Sequence, residues 1–407
     1  MKEKLLYLCH RIPYPPNKGD KIAAYHILTF LSKHYDVYLG CFIDDPEDRQ
    51  YRDHVKSLCK TAFFVDINPR LAKLKGISAL LTNQPITLPY YANESLSDWV
   101  ENTINENRIE KAFLFSGCMA QFVIERAQQL HTVMHFVDVD SDKWKQYAAK
   151  KTGIMKRIYH REHITLERYE KQIANTFEIS CFVTETETQM FRELIEEPVR
   201  HRIQTLSNGI DTDFFSPVKT HDFGEEYAIQ KQNYIVFTGA MDYWANVDAV
   251  KWFVSEVWPA VRKEIPDGLF YIVGSSPDKS VYNLQNQPGV VVTGRVEDVR
   301  PYLKHAKASV APMQIARGIQ NKILEAMSMA KPVAASSLGI EGIEGIETVS
   351  NENLLVSDSP SETANWVIQH LASPHKLAEE SRLWMQKNYS WEAKLAPVLN
   401  YLEASGE

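Results

Sequence analysis

Arg317-Gly318-Ile319-Gln320-Asn321-Lys322-Ile323-Leu324-Glu325-Ala326-Met327 follows the apolar run Ala308-Ser309-Val310-Ala311-Pro312. The run predicts a buried strand, and apolar residues at 319, 323, 324 and 327 predict the helix after it. Strand, loop and helix in that order are the unit from which parallel α/β sheets are built. The helix start also carries chemistry: a glycine, the two amides Gln320 and Asn321, Lys322 and, one turn on, Glu325. Free N–H groups and the positive end of the dipole make such a start an anion site. Lys322 adds a point charge for a phosphate, and Arg317 a bidentate fork. Glu325, three residues beyond Lys322 on the same face, can accept both hydroxyls of a ribose. The same stretch also reads as an ordinary amphipathic core helix, with Ile319, Ile323, Leu324 and Met327 filling its buried face.

Outward from this point the pattern repeats. Short apolar runs alternate with helical periodicity almost throughout, which predicts parallel sheets with helices on both faces. In the first half the predicted strands are Lys4–Cys9, Val37–Ile43, Ala62–Ile67, Lys111–Phe115, Thr132–Val137, Glu178–Val183 and Ile203–Leu206. Helical patterns such as Lys21–Lys33 and Glu94–Asn107 lie between them. A second series comprises Tyr234–Thr238, Leu269–Val273, Val290–Thr293, Ala308–Ala311, Pro332–Ser336 and Asn353–Val356. The polar stretch Ser216–Gln232 has no clear period and is the best linker. The expectation is two doubly wound Rossmann-like domains, 1–215 and 216–388, with ligands at the carboxyl ends of the strands.

Composition bounds the function. The chain has 407 residues, 44% hydrophobic and 24% charged, as expected of a globular enzyme of two to three domains. A net charge of -7 argues against a general nucleic-acid binder. Five scattered cysteines without a CxxC pair predict buried reduced thiols, not a disulfide frame or zinc site. The apolar run Leu5–Cys9 is too short for a signal peptide, and no stretch reaches the length of a membrane span. The expected location is the cytoplasm or the cytoplasmic face of a membrane.

Further polar clusters follow predicted strands. After the first comes His10-Arg11-Ile12-Pro13-Tyr14-Pro15-Pro16-Asn17-Lys18-Gly19-Asp20. Three prolines stiffen this loop, Gly19 permits close approach of a ligand, and Asp20 is a plausible N-cap. The loop lacks GxGxxG, which counts against a nicotinamide or flavin enzyme. The strand Thr132–Val137 ends in Asp138-Val139-Asp140-Ser141-Asp142, where Ser141 or Asp142 can cap the next helix. Asp138 and Asp140 have no evident local need and are candidates to orient a sugar hydroxyl or act as general base. Their spacing is not specific for a metal, and none is expected. Lys143–Lys171 then carries nine basic residues against three acidic ones, with Trp144, Tyr147, Met155 and Tyr159 near helical spacing. This reads either as a solvated helix face or as a basic amphipathic surface for anionic lipid. In the second half, Gly239 after Thr238 allows a phosphate or sugar near the backbone, and Arg295 can stack on a base or reach a phosphate.

Together these pieces resemble the GT-B glycosyltransferases of family 4, in particular the sugar transferases that accompany PEP-CTERM/exosortase exopolysaccharide systems. The resemblance rests on HRIPYPPNKGDKIAAYH, DVDSDKW, SNGID, TGAMDYWANVDAV, TGRVEDVRPYL, and RGIQNKILEAM with KPVAAS, and it spans nearly the whole chain. It implies a GT-B fold of two Rossmann-like domains facing a central cleft, with a C-terminal helix near Trp391–Leu402, within 389–407, returning to the first domain. It implies a nucleotide sugar, UDP- or GDP-linked, as co-substrate without further cofactor. The acceptor would be a saccharide or lipid-linked saccharide, and transfer would retain the anomeric configuration. By position, Lys322 would contact the diphosphate and Glu325 the ribose, and Gly318, Ile319 and Gln320 would give backbone contacts. Gly19 and Asp20 would form the acceptor-side loop that approaches the donor.

The sequence departs from that pattern in three places. Arg317 stands where the family places its first acid, so recognition of the donor sugar is not transferable. The Arg and Lys common after the first strand of the C-terminal domain are absent from Gly239–Val247, a charge that Arg317 or Arg295 can replace. Asp138 or Asp140 replaces the family's histidine, because His135 falls within the strand. The expected mechanism stabilises the departing pyrophosphate with Lys322, Arg317 and the helix start, without a metal. A sugar-nucleotide epimerase and a catalytically silent nucleotide-sugar-binding subunit are the competing readings.

Overall fold

The computed structural model describes residues 2–79, 82–219, 229–316, 318–350 and 352–403. The chain divides into two compact units, Met1–Asn208 with Lys394–Glu407, and Gly209–Ala393.

The first unit is built on seven parallel strands: β1 (Glu3–Cys9), β2 (Tyr35–Ile43), β3 (Thr61–Asp66), β4 (Lys111–Phe115), β5 (His131–Val137), β6 (Ile179–Phe182) and β7 (Ile203–Thr205). Their order is β3-β2-β1-β4-β5-β6-β7. Leu5, Leu6, Tyr7 and Leu8 of β1 are all fully buried, as a continuous apolar run must be when helices cover both faces of its sheet. One face packs Leu6, Leu8, Phe42, Leu114, Met134 and Phe182 against Val100 and Ile104 of the Glu94–Asn107 helix and Ile173 of the Gly153–Thr176 helix.

The second unit has six parallel strands: β8 (Tyr234–Thr238), β9 (Leu269–Val273), β10 (Val290–Gly294), β11 (Ala308–Ala311), β12 (Val333–Ala335) and β13 (Leu354–Val356). Their order is β10-β9-β8-β11-β12-β13. Ile235, Phe237, Phe270, Ile272 and Val310 form one core face with Val250, Phe253 and Val367, and Val236, Tyr271 and Val333 the other with Ile323, Leu324 and Met327. Both sheets reverse strand order at one point, between β1 and β4 and between β8 and β11.

The domain limits differ from those expected. The division falls after Asn208, not after residue 215, because the turn that follows is bound into the second unit. The Ile210 amide donates to the Tyr389 carbonyl at 2.7 Å. The Arg382 guanidinium donates to the carbonyls of Thr212 and Phe215, and that of Arg300 stacks 3.7 Å from the Phe214 ring centre. A Cβ on Gly209 would lie 2.6 Å from the Trp391 backbone, so glycine is required at this turn. Most of the expected linker lies in 220–228, outside the described residues. The C-terminal segment is not one helix. Helix Trp391–Leu395 gives way to Pro397–Glu403, since a proline inside a helix removes a donor and clashes with the preceding turn. Within the first unit, the His131 ring meets the Tyr401 carbonyl at 2.6 Å, and Val398 and Leu402 are buried.

Candidate functional site

Open α/β sheets bind ligands outside the carboxyl ends of their strands, where strand order reverses. At that point of the second unit a cleft of about 450 Å3 is lined by Thr238, Gly239, Gly274, Ser275, Arg295, Val296, Asn321, Lys322 and Glu325. Each residue reaches it for a local reason. Gly239 follows β8, Gly274 follows β9, Arg295 follows β10, and the Asn321–Ser328 helix follows the loop after β11.

That helix buries the apolar face its sequence predicted. Ile323, Leu324 and Met327 are buried in the core, while Lys322 and Glu325 lie on the side that lines the cleft. Gln320 occupies the N-cap position and makes no side-chain capping bond. Gly318 takes φ +65° with open space where a Cβ would stand, an arrangement suited to glycine and to close backbone contact. Asn321 borders the cleft and Ile319 packs partly against the core. Arg317 lies outside the described residues.

The Lys322 ammonium donates to Asn246 Oδ1 at 2.8 Å and to Gln320 Oε1 at 3.3 Å, and lies 5.0 Å from the Phe237 ring centre. Burial lowers its pKa to about 8, against the opposing pull of Glu325. Burial likewise raises Glu325 to about 7, against the pull of Lys322. No hydrogen bond reaches the Glu325 carboxyl from the described residues, and Arg295 is exposed without an ion pair among them. The Thr238 hydroxyl is buried without a partner. A partly buried cation, a carboxyl that can accept from hydroxyls and an exposed guanidinium thus line one cleft beside a helix start, groups able to pair with an anionic ligand that carries hydroxyls.

Gly239 is needed for packing more than for ligand approach. A Cβ there would sit 2.7 Å from Asn246 Nδ2, and one on Gly274 would sit 1.6 Å from the Gly239 carbonyl oxygen. Asn246, which sequence reasoning missed, bonds both the Ala240 carbonyl and Lys322 and so aims the ammonium.

The carboxyl edge of the first sheet holds the other predicted residues. Asp20 does not cap its helix; Lys18 holds that position without a side-chain bond. Asp20 instead accepts from Arg11 at 2.7 Å and lies 3.4 Å from His10. The hydrogen bond from His10, together with the Arg11 charge, holds its carboxyl far below the usual range. Gly19 opens the helix with no heavy atom within 4 Å of a would-be Cβ. Neither Ser141 nor Asp142 caps the next helix, whose N-cap is Val139. The Ser141 amide and hydroxyl both donate to the buried Glu170, which burial raises to about 8.

Asp138 and Asp140 do have a local role, contrary to expectation: Lys143, one turn on, pairs with both. Burial raises Asp140, with Lys143 opposing. Glu187 accepts from the Val139 amide at 3.4 Å and is raised to about 7 by burial and then by Asp138. Val137, just before Asp138, takes φ +78°, a strained position for a β-branched residue of the kind that clusters at functional sites. His135 is buried within β5, as expected, and burial lowers it to about 4. Glu170 and Glu187 come from helices 29 and 48 residues away from their partners, so no local spacing announces them. Among the described residues no group of three or more His, Cys, Asp or Glu is placed to hold a metal ion.

The basic segment forms the helices Asp140–Ala149 and Gly153–Thr176. Lys143 and Lys171 are paired with acids, and Arg161 donates to the carbonyls of Ala79, Thr82 and Gln84. Tyr147, Ile154 and Met155 are exposed, Ile154 by 74%. Trp144, Tyr147 and Tyr159 pack edge to face. No helix among the described residues is long and apolar enough to cross a membrane.

Residues 232–373, which include the whole of this cleft, match the family described as Glycosyl transferases group 1. An uncharacterized 44.6 kDa protein in the cps region of Klebsiella pneumoniae is 21% identical over 406 residues, covering 95% of this chain and 96% of its own. Among solved structures, sucrose-phosphate synthase from Thermosynechococcus elongatus is similar with a TM-score of 0.58 at 16% identity, covering 98% of each chain. HepE of Anabaena in complex with UDP gives 0.59 at 13% identity, over 99% of this chain and 100% of that one. The fold is therefore GT-B, with two Rossmann-like domains. Fold and group 1 domain together support a glycosyltransferase.

Proposed function

We propose that this protein is a retaining glycosyltransferase of family 4 that moves a sugar from a nucleotide-sugar donor to a saccharide or lipid-linked saccharide acceptor in exopolysaccharide biosynthesis. The observation that carries the proposal is the placement of Lys322, Glu325 and Arg295 around the unengaged start of the Asn321–Ser328 helix. Lys322 and the helix amides take the diphosphate, Glu325 the ribose hydroxyls, and Arg295 the base or a phosphate. As the bond between C1 and the phosphate oxygen breaks, the ammonium and the amides stabilise the charge left on the pyrophosphate. The acceptor oxygen forms its bond to C1 on the same face, and its proton passes to the departing phosphate. No metal is assigned a step. In the first unit Asp138 and Asp140 orient acceptor hydroxyls, Lys143 keeping their charge in check.

The relative from a cps region supports polysaccharide assembly as the setting. The exposed Ile154 and Met155 beside Lys150, Lys151, Lys156 and Arg157 support a peripheral position on an anionic membrane face. The test is thermal stability with UDP, GDP, ADP and their sugars. A ligand at a hundredfold excess over its dissociation constant adds about 2.7 kcal/mol. One nucleotide series should raise Tm in wild type and fail to do so in Lys322→Ala; no shift with any nucleotide would defeat the proposal.

A further inference from the structure

Asp242, Tyr243 and Trp244 stand exposed between two buried anchors. Met241 before them is fully buried, and its amide donates to the Ser275 carbonyl at 2.8 Å. Ala245 after them is buried, and Asn246, the next residue, accepts from Lys322. Ser275 and Lys322 both line the donor cleft, so each end of this turn is tied to the cleft wall. The Tyr243 amide closes the turn on the Ala240 carbonyl at 3.3 Å. The three exposed side chains thus stand on a fixed base beside the cleft.

Neither packing nor helix stability explains the two aromatic residues. Trp244 is 54% exposed and Tyr243 47%, and Trp244 is the one exposed tryptophan among the described residues. The rings meet edge to face, 6.2 Å between centres. Tyr243 also holds the N-cap of the Trp244–Trp252 helix without a side-chain bond, where Ser, Thr, Asp or Asn would stabilise the helix by about 1 kcal/mol. Aromatic surface is kept in water where a cap would serve the fold better, and exposed apolar surface of this kind points to a ligand. Half-exposed, the two rings offer together about 200 Å2, far below the ~1,000 Å2 of a stable protein interface and enough to cover one sugar ring. Asp242 is exposed and has no ion pair among the described residues, and Asp248 lies one turn on. A patch that rests on anionic lipid carries basic residues in such places. A pyranose instead offers C–H bonds on one face to lie against an aromatic ring, and hydroxyls at its rim to donate to a carboxylate. Asp242 also disfavours an acidic sugar, by like charge.

We propose that Tyr243 and Trp244 form a stacking platform for a neutral sugar ring of the acceptor glycan, with Asp242 accepting from one of its hydroxyls. The inference rests on the glycosyltransferase reading above. In that reading the donor fills the cleft, whose lining leaves out 242–244, so a ring on this turn belongs to the other substrate.

The test is saturation-transfer NMR on the full chain with β-1,4-linked hexaoses of glucose, mannose and galactose. At least one should show transfer, strongest at the C–H protons of one ring face. Trp244→Ala should weaken that binding roughly tenfold, and Trp244→Phe, which keeps a ring, only about threefold. Because Trp244 is exposed, Tm of the alanine variant should stay within about 2 °C of wild type, which separates lost binding from lost folding. Stabilisation by UDP, measured on the same samples, should be equal in wild type and Trp244→Ala. No transfer from any of the three hexaoses, variants that bind as wild type, or a loss of UDP stabilisation as large as the loss of hexaose would each overturn the platform. Absence of UDP stabilisation in wild type would count against the donor reading, whatever the platform does.

Discussion

Replacing Lys322 with alanine removes a side-chain cation that lies partly buried at the start of the Asn321–Ser328 helix. At about 4 Å and an effective dielectric constant of 20, a unit charge pair is worth roughly 4 kcal/mol. The hydrogen bond to Asn246 Oδ1 at 2.8 Å must loosen for the ammonium to turn to a phosphate, which offsets about 1 kcal/mol. About 3 kcal/mol remains, a loss of roughly 150-fold in kcat if the interaction grows as the pyrophosphate departs. The fold should not suffer. Lys322 titrates near 8 in the native state, below an unfolded lysine, so the unfolded chain binds more protons between those values. Stability from this group therefore rises with pH across that window, and below it the buried ammonium is a burden. The alanine variant should match or exceed wild-type Tm at pH 7, with the difference vanishing toward pH 10.5. Wild-type kcat/KM should in turn fall above pH 8, as the ammonium of the free enzyme loses its proton. The assay is release of nucleoside diphosphate at saturating donor, with Tm by calorimetry. Near-normal kcat in the variant, with Tm intact, would show that Lys322 does not stabilise the departing pyrophosphate.

Glu325→Gln should weaken donor binding about tenfold at pH 8 by titration calorimetry, while Tm holds or rises there. Its raised pKa means that its ionised form burdens the fold as pH passes up through about 7. Gly274→Ala should cost about 3 kcal/mol or more in urea unfolding, because its Cβ would overlap the Gly239 carbonyl. Gly318→Ala, in open space at φ +65°, should cost only about 1–2 kcal/mol. Glu170→Gln should stabilise the chain at pH 8 and not at pH 5. The native carboxyl, raised to about 8, holds its proton through that range while the unfolded one loses it, so wild-type stability falls as pH rises.

Each predicted strand has its counterpart, with ends shifted by two residues at most, because a buried parallel strand must be a continuous apolar run and announces itself. The placement of Lys322 and Glu325 on the cleft side was legible for a similar reason: their i, i+3 spacing puts them on the face opposite Ile323, Leu324 and Met327. What stayed hidden depends on contacts distant in sequence. Nothing near Ser141 indicates that Glu170 will take its amide, and nothing near Gly239 indicates that Asn246 will fill the space beside it. Asp20 resembled a cap because its position before a helical pattern fits one, but Arg11 and His10 compete for its carboxylate and win. The domain limit was misplaced for want of a local cue. Residues 209–215 read as a turn before a linker, yet Arg300, Arg382 and the Tyr389 carbonyl, all from far along the chain, bind them to the second unit.

Whether a pyrophosphate is held at residues 318–325 is decided by a crystal structure with bound UDP. Diphosphate oxygens should lie about 3 Å from Lys322 Nζ and from the first amides of the Asn321–Ser328 helix, with the ribose on Glu325. Nucleotide bound elsewhere, with Lys322 still directed at Asn246 and Glu325 without a contact, would contradict it.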